Sequence, residues 1–166
     1  HVGLDVGINA TAARLLIQYL GLTLADAGFA TSFYFIFRTA GCLMGTYLLG
    51  KFGDKKVFIV SVSMILLGIL CLFSSDKTIM YTGIALFGLG NSNIFPVMFS
   101  QALIRKPASQ NEVSGLMITG IVGGAVFPLI MGVASDIMKS QAGALVVLLV
   151  LVVFLIGLVF PKVKTN

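Results

Sequence analysis

Apolar residues run along this chain in long blocks, and the polar and charged residues gather in the short gaps between them. A membrane-spanning helix needs about 20 mostly apolar residues, and six blocks of that order follow one another about 28 residues apart, one helix plus a short loop. They cover residues 2–22, 27–49, 57–73, 79–103, 113–134 and 142–160. The stretches between them, 23–26, 50–56, 74–78, 104–112 and 135–141, hold the turn and charge signals. A transmembrane β-barrel alternates apolar and polar residues in segments of about ten. These continuous runs exclude one, so the pattern predicts an all-α integral membrane bundle of six helices, residues 1–166 forming a single domain with no long linker.

Composition strengthens that reading. Hydrophobic residues make up 58% of the chain, charged residues only 10%, and the mean hydropathy is +1.06. A soluble domain carries about 25% charged residues, and a soluble fold of this composition would expose large apolar patches. The net charge of +5 raises nucleic acid as a partner, but no basic stripe interleaved with aromatics is present. The basic residues sit instead as topology signals. Lys51, Lys55, Lys56, Arg105, Lys106, Lys162 and Lys164 fall on one side of a six-span arrangement, and only Lys77 and Lys139 on the other. The basic side faces the cytoplasm, and six spans then place both chain ends there. Cys42 and Cys71 lie within apolar blocks and read as buried thiols acting as small hydrophobes. The chain opens on His1 and passes directly into apolar sequence, which reads as a cut point inside a longer protein.

Of the 11 basic and 6 acidic side chains, only Asp5, Arg14 and Arg38 fall well inside a predicted span. A charge near the midplane costs roughly 2.5–3.5 kcal/mol on insertion scales, so it faces a partner or a wet cavity. Arg38 lies twelve residues before Gly50, about 18 Å along a helix at 1.5 Å per residue. It reads either as a cavity or gate arginine or as half of a structural pair. Asp5 and Asn9 share one helix face and suit a cavity lined for hydroxyls, unless Asp5 lies at the cytoplasmic boundary. Arg14 reads as snorkelling outward. Asn91, Ser92, Asn93 and Pro96 crowd the fourth span, where a proline frees a backbone carbonyl and transporters build sites at interrupted helices. Asn93 and Ser100 share a face, and Phe95 offers a ring to the apolar side of a sugar; the alternative is interhelical hydrogen bonding. Glycines four apart, Gly3 and Gly7, Gly41 and Gly45, Gly120 and Gly124, with Gly132 beyond, predict close helix approach.

The stretch Gly50-Lys51-Phe52-Gly53-Asp54-Lys55-Lys56 between the second and third spans resembles the signature loop of the major facilitator superfamily. Here Gly50 is expected to release the chain from the helix, Asp54 to pair with a base or cap a helix, and Lys55 and Lys56 to hold the loop inside. His1-Val2-Gly3-Leu4-Asp5-Val6, Gly45-Thr46-Tyr47-Leu48, Phe95-Pro96-Val97-Met98-Phe99-Ser100, and Gly123-Gly124-Ala125 with Pro128, Met131-Gly132 and Ser135-Asp136 are similar, in that order, to stretches of the fucose–proton symporter branch and its glucose/galactose relatives. The branch's Gly-Arg-Phe-x-Gly is Gly41-Cys42-Leu43-Met44-Gly45 here, with an arginine one turn earlier, at Arg38.

That resemblance implies the carboxyl-terminal half of a twelve-helix transporter. It implies alternating-access, proton-coupled uptake of a monosaccharide such as fucose, glucose or galactose in a bacterial inner membrane. The partners it implies are the sugar, a proton, membrane lipid and an amino-terminal six-helix half that carries most of the coupling carboxylates. The substrate-lining candidates are Asp5, Asn9, Arg38, Asn91, Asn93, Phe95 and Ser100. No nucleophile–base pair, phosphate loop or metal cluster is legible, so neither an enzyme nor a cofactor is expected. The rival readings are a facilitator of drugs or organic anions, a six-helix channel subunit and a structural membrane module. Asn- and Asp-lined surfaces favour a hydroxyl-rich solute over a drug, and no selectivity-filter segment supports a channel.

Overall fold

A computed structural model describes residues 1–159, with side chains as far as Gly157. Among these residues every regular element is helical: α1 (Val2–Leu20), α2 (Leu24–Phe52), α3 (Asp54–Cys71), α4 (Lys77–Asn91), α5 (Ile94–Arg105), α6 (Gln110–Thr119), α7 (Gly123–Met138) and α8 (Ala142–Val159), with 3-10 turns at Pro107–Ser109 and Gly120–Val122. They make six rods, because α4 with α5 forms one bent rod, Lys77–Arg105, and the stretch from the first 3-10 turn through α7 forms another, Pro107–Met138. These two are long and apolar enough to cross a membrane by length and composition.

Local chemistry explains where the rods begin and end. Gly21 closes α1 in the left-handed region at φ 63°, its N–H donating to the Ile17 carbonyl, a conformation that costs glycine nothing. Thr23 then starts α2: its hydroxyl accepts the Asp26 N–H at 3.2 Å and donates to the Asp26 carboxylate at 2.7 Å. The Asp76 carboxylate starts α4 by accepting the N–H groups of Thr78 and Ile79.

The expected loop at 50–56 is one residue long. Helix α2 continues through Gly50 to Phe52, and Gly53, at φ 77°, makes the break that Gly50 was expected to make. The correction has a plain cause: only Gly53 occupies backbone space closed to other residues. The expected loop at 104–112 is likewise mostly helical, turning at Lys106 and resuming through Pro107–Ser109 into α6. The expected end of the sixth span at Phe160, and Lys162 and Lys164 of the orientation argument, lie outside the described residues.

Helix α4 packs against α1, α2 and α3, while α1 rests on α7 and α8 and α8 also meets α3. Its glycines make the approach close. A Cβ at Gly68 or Gly83 would come within 2.8 Å of the other's carbonyl oxygen, and one at Gly90 within 2.5 Å of the Ser61 carbonyl. In lipid, apolar area drives nothing between helices, so backbone proximity and dispersion hold these contacts. Gly41 and Gly45 serve α2 in the same way against the end of α4. Gly3 and Gly7 press on Phe127 and Met131 of α7, and Gly124 on Val2 and Val6. Gly120 and Gly132 face nothing within 4 Å, so the expected close approach does not occur there among the described residues. Cys42 is exposed and Cys71 only half-buried, against the expectation of two buried thiols.

Candidate functional site

The deepest polar cluster lies where α1, α2 and α4 meet. Gly88 of α4 sits against the backbone of α2, where a Cβ would come 2.8 Å from the Tyr34 carbonyl oxygen and 3.2 Å from the Arg38 nitrogen. That approach, one turn before the end of α4, brings Asn91 across to α2 and α1. On α2 the inward positions run Ala27, Ala30, Tyr34, Gly41 and Gly45, and Arg38 completes this spacing of three and four.

Asp5 is the centre of the cluster. Its Oδ2 lies 2.8 Å from an Arg38 guanidinium nitrogen. Its Oδ1 accepts the Tyr34 hydroxyl at 2.5 Å and the Asn91 amide at 3.1 Å. Because Tyr34 gives its only proton to Asp5, its oxygen is free to accept, and the Asn91 Nδ2 donates to it at 3.0 Å. Every group touching the carboxylate is therefore a donor. The ion pair cancels the two charges. Asn91 and Tyr34 are fully buried, while the side chains of Asp5 and Arg38 keep 17% and 34% exposure, so the cluster reaches the surface through the arginine. The buried Asn91 Oδ1 has no hydrogen-bond partner among the described residues.

Three of the seven lining candidates thus come together, Asp5, Arg38 and Asn91. The other four stand apart. Asn9 donates to the Asp5 backbone carbonyl at 2.8 Å and leaves its own buried Oδ1 unpartnered. Asn93 is buried and donates to the Gly41 carbonyl at 3.0 Å and the Ser92 hydroxyl at 2.9 Å, stitching α2 to the break between α4 and α5. Phe95 stacks between the His1 and Phe99 rings, at centroid distances of 6.0 and 5.9 Å. Ser100 is exposed on α5, whereas Asn93, the N-cap of the same helix, is buried. Arg14 is exposed on α1. In the signature loop, Gly50, Lys55 and Lys56 are exposed, and Asp54 opens α3 and accepts the Gln101 amide at 2.6 Å. It ties α3 to α5 and takes no basic partner among the described residues.

Tyr34 is the member that sequence reasoning missed. It stands in an aromatic run, Phe33-Tyr34-Phe35, that reads as generic apolar helix. Its position four before Arg38 was the available signal.

The family model described as Major Facilitator Superfamily matches residues 2–165. The chain belongs to that superfamily. Membership implies an integral membrane protein. Two proteins named "Glucose/galactose transporter", from Brucella abortus biovar 1 (strain 9-941) and Brucella abortus (strain 2308), are each 26% identical over 137 residues, 79% of this chain and 33% of their own length. A Helicobacter pylori (strain J99) relative is 26% identical over 141 residues, 84% of this chain and 34% of its own length. The chain spans about a third of the length of the curated relatives it matches. No solved structure matches it significantly. The superfamily and these relatives point to a transporter and not an enzyme.

Proposed function

We propose that this chain is the carboxyl-terminal six-helix domain of a proton-coupled monosaccharide transporter of the glucose, galactose or fucose class, working by alternating access. The observation that carries the reading is the cluster of Asp5, Tyr34, Arg38 and Asn91, in a chain whose relatives are named for glucose and galactose. It gathers guanidinium, hydroxyl and amide groups where three rods meet, and it opens to the surface at Arg38. Such groups bind hydroxyls in several directions. Asn9, Asn93, Phe95 and Ser100 enter this reading as lining candidates outside the cluster.

The same reading pairs this domain with an amino-terminal six-helix half across a shared midplane site, the two rocking against each other. The largely exposed rod Pro107–Met138 supports it, since a long apolar rod so little covered by its own chain leaves surface for that half or for lipid. In this reading the turns at Gly53 and Lys106 and both chain ends face the cytoplasm across a bacterial inner membrane, and the basic residues around those turns support it.

The test is uptake by the full-length protein in proteoliposomes. Saturable entry of glucose, galactose or fucose is expected, driven inward by a proton gradient and collapsed by a protonophore. Absence of saturable hexose uptake and of hexose binding would overturn the sugar reading; uptake indifferent to the gradient would overturn only the coupling.

A further inference from the structure

We propose that the ion pair of Asp5 and Arg38 is a charge filter, which confines the transported solute to uncharged, hydroxyl-bearing molecules and turns away both sugar acids and amino sugars. The inference rests on the monosaccharide reading and deepens it by assigning specificity to two named residues.

The first step is the saturation of the carboxylate. Asp5 already accepts from Arg38, Tyr34 and Asn91. It therefore has little left to offer a solute, and its work is to cancel a charge and to orient its neighbours. The second step concerns Arg38. A guanidinium carries five N–H donors, and among the described residues the only partner of this one is Asp5. Its side chain is a third exposed, which leaves it open to a solute. The third step is the charge that a solute meets. The carboxylate and guanidinium cancel, and the Asn91 and Asn9 Oδ1 atoms, which have no partner among the described residues, are enclosed. A solute at Arg38 thus meets donors from one neutralised cation.

A hydroxyl accepts from such donors without bringing charge. A carboxylate-bearing solute drawn to Arg38 would set a second anion beside Asp5, and an ammonium-bearing one would face Arg38. Like charges placed together in a binding site cost several kcal/mol of discrimination. Removing one member of the pair leaves a single net charge and inverts the preference.

The test is displacement of labelled galactose from the full-length protein by galactose, galacturonate and galactosamine at about pH 6, where the acid is ionised and the amine protonated. The wild type should take both charged analogues at least about tenfold more weakly than galactose. Asp5→Asn should bring galacturonate about tenfold closer to galactose and leave galactosamine behind, and Arg38→Gln should do the reverse. The double variant should lose both gains. If either single variant fails to reach the membrane folded, the other carries the test with the opposite charge. Unmoved ratios in the single variants, with galactose still bound by the wild type, overturn the filter alone. A wild type that binds no galactose overturns the sugar reading on which the filter rests.

Discussion

The fourth and fifth rods, Lys77–Arg105 and Pro107–Met138, are both long and apolar enough to cross a membrane, yet most of the first is buried and little of the second is. The buried rod is the less apolar of the two. Hydropathy measures affinity for lipid, and lipid is as apolar as leucine, so it says nothing about which helix is wrapped by others. Glycine placement says more. Gly83, Gly88 and Gly90 of the fourth rod each touch a neighbouring backbone, whereas in the fifth Gly124 meets the side chains of Val2 and Val6, and Gly115, Gly120 and Gly132 meet nothing within 4 Å. The fourth rod also ends its first segment on Asn91, which closes the polar cluster, and on Ser92 and Asn93, which stitch the break. The wrapped rod is recognisable by glycines that meet backbone and by polar residues bonded across helices.

The sharpest way to break this comparison is to attack the charge at its centre. Asp5→Ala leaves Arg38 unpaired at the meeting of three rods, and such a loss should destabilise the full-length protein by about 3 kcal/mol. Asp5→Asn with Arg38→Gln should cost less than the sum of the two single changes, because neither charge is stranded. Thermal unfolding in detergent reads both, and strict additivity would show that the pair does not couple. Next in size is the backbone contact. Gly90→Ala forces a methyl against the Ser61 carbonyl and the Ile65 backbone, and overpacking of this kind costs about 1–3 kcal/mol. An unchanged melting temperature would mean that α3 and α4 are not pressed together there.

Much of this was legible in the sequence, for reasons that particular residues make plain. The rods were, because the cost of charge in hydrocarbon segregates it, and Asp5 and Arg38 stood out for the same reason. Asn91 followed from its crowding with other polar residues. Tyr34 did not, since one hydroxyl in an aromatic run leaves no mark on a hydropathy profile. Seven-residue spacing relates Asn93 to Ser100 on α5 but says nothing of burial, and only Asn93 is buried. Gly50 and Gly53 are equally good helix breakers by type. In the structure Gly53 is the one at positive φ, and the hydrogen bond from Gln101 to Asp54 ties α5 to the start of α3 directly after it.

Two smaller changes sharpen the contrast between the rods. Asn93→Ala removes the bond to the Gly41 carbonyl, and interhelical bonds of this type are worth about 1 kcal/mol in a membrane. A modest fall in stability is expected, with hexose binding reduced far less than by Asp5→Ala; equal losses in both would place Asn93 in the binding cluster itself. Gly132→Ala is the smallest change and the most informative about the bare rod. Its added methyl meets nothing within 4 Å. Alanine also favours a helix over glycine by up to about 1 kcal/mol, so the isolated rod should gain slightly. In the full-length protein the expected shift is within about 0.5 kcal/mol, the ordinary range for a position without close neighbours. A loss well beyond that, measured by the same thermal unfolding, would mean that a second surface already presses on Gly132. The fifth rod would then be as closely packed as the fourth, by a partner outside these helices.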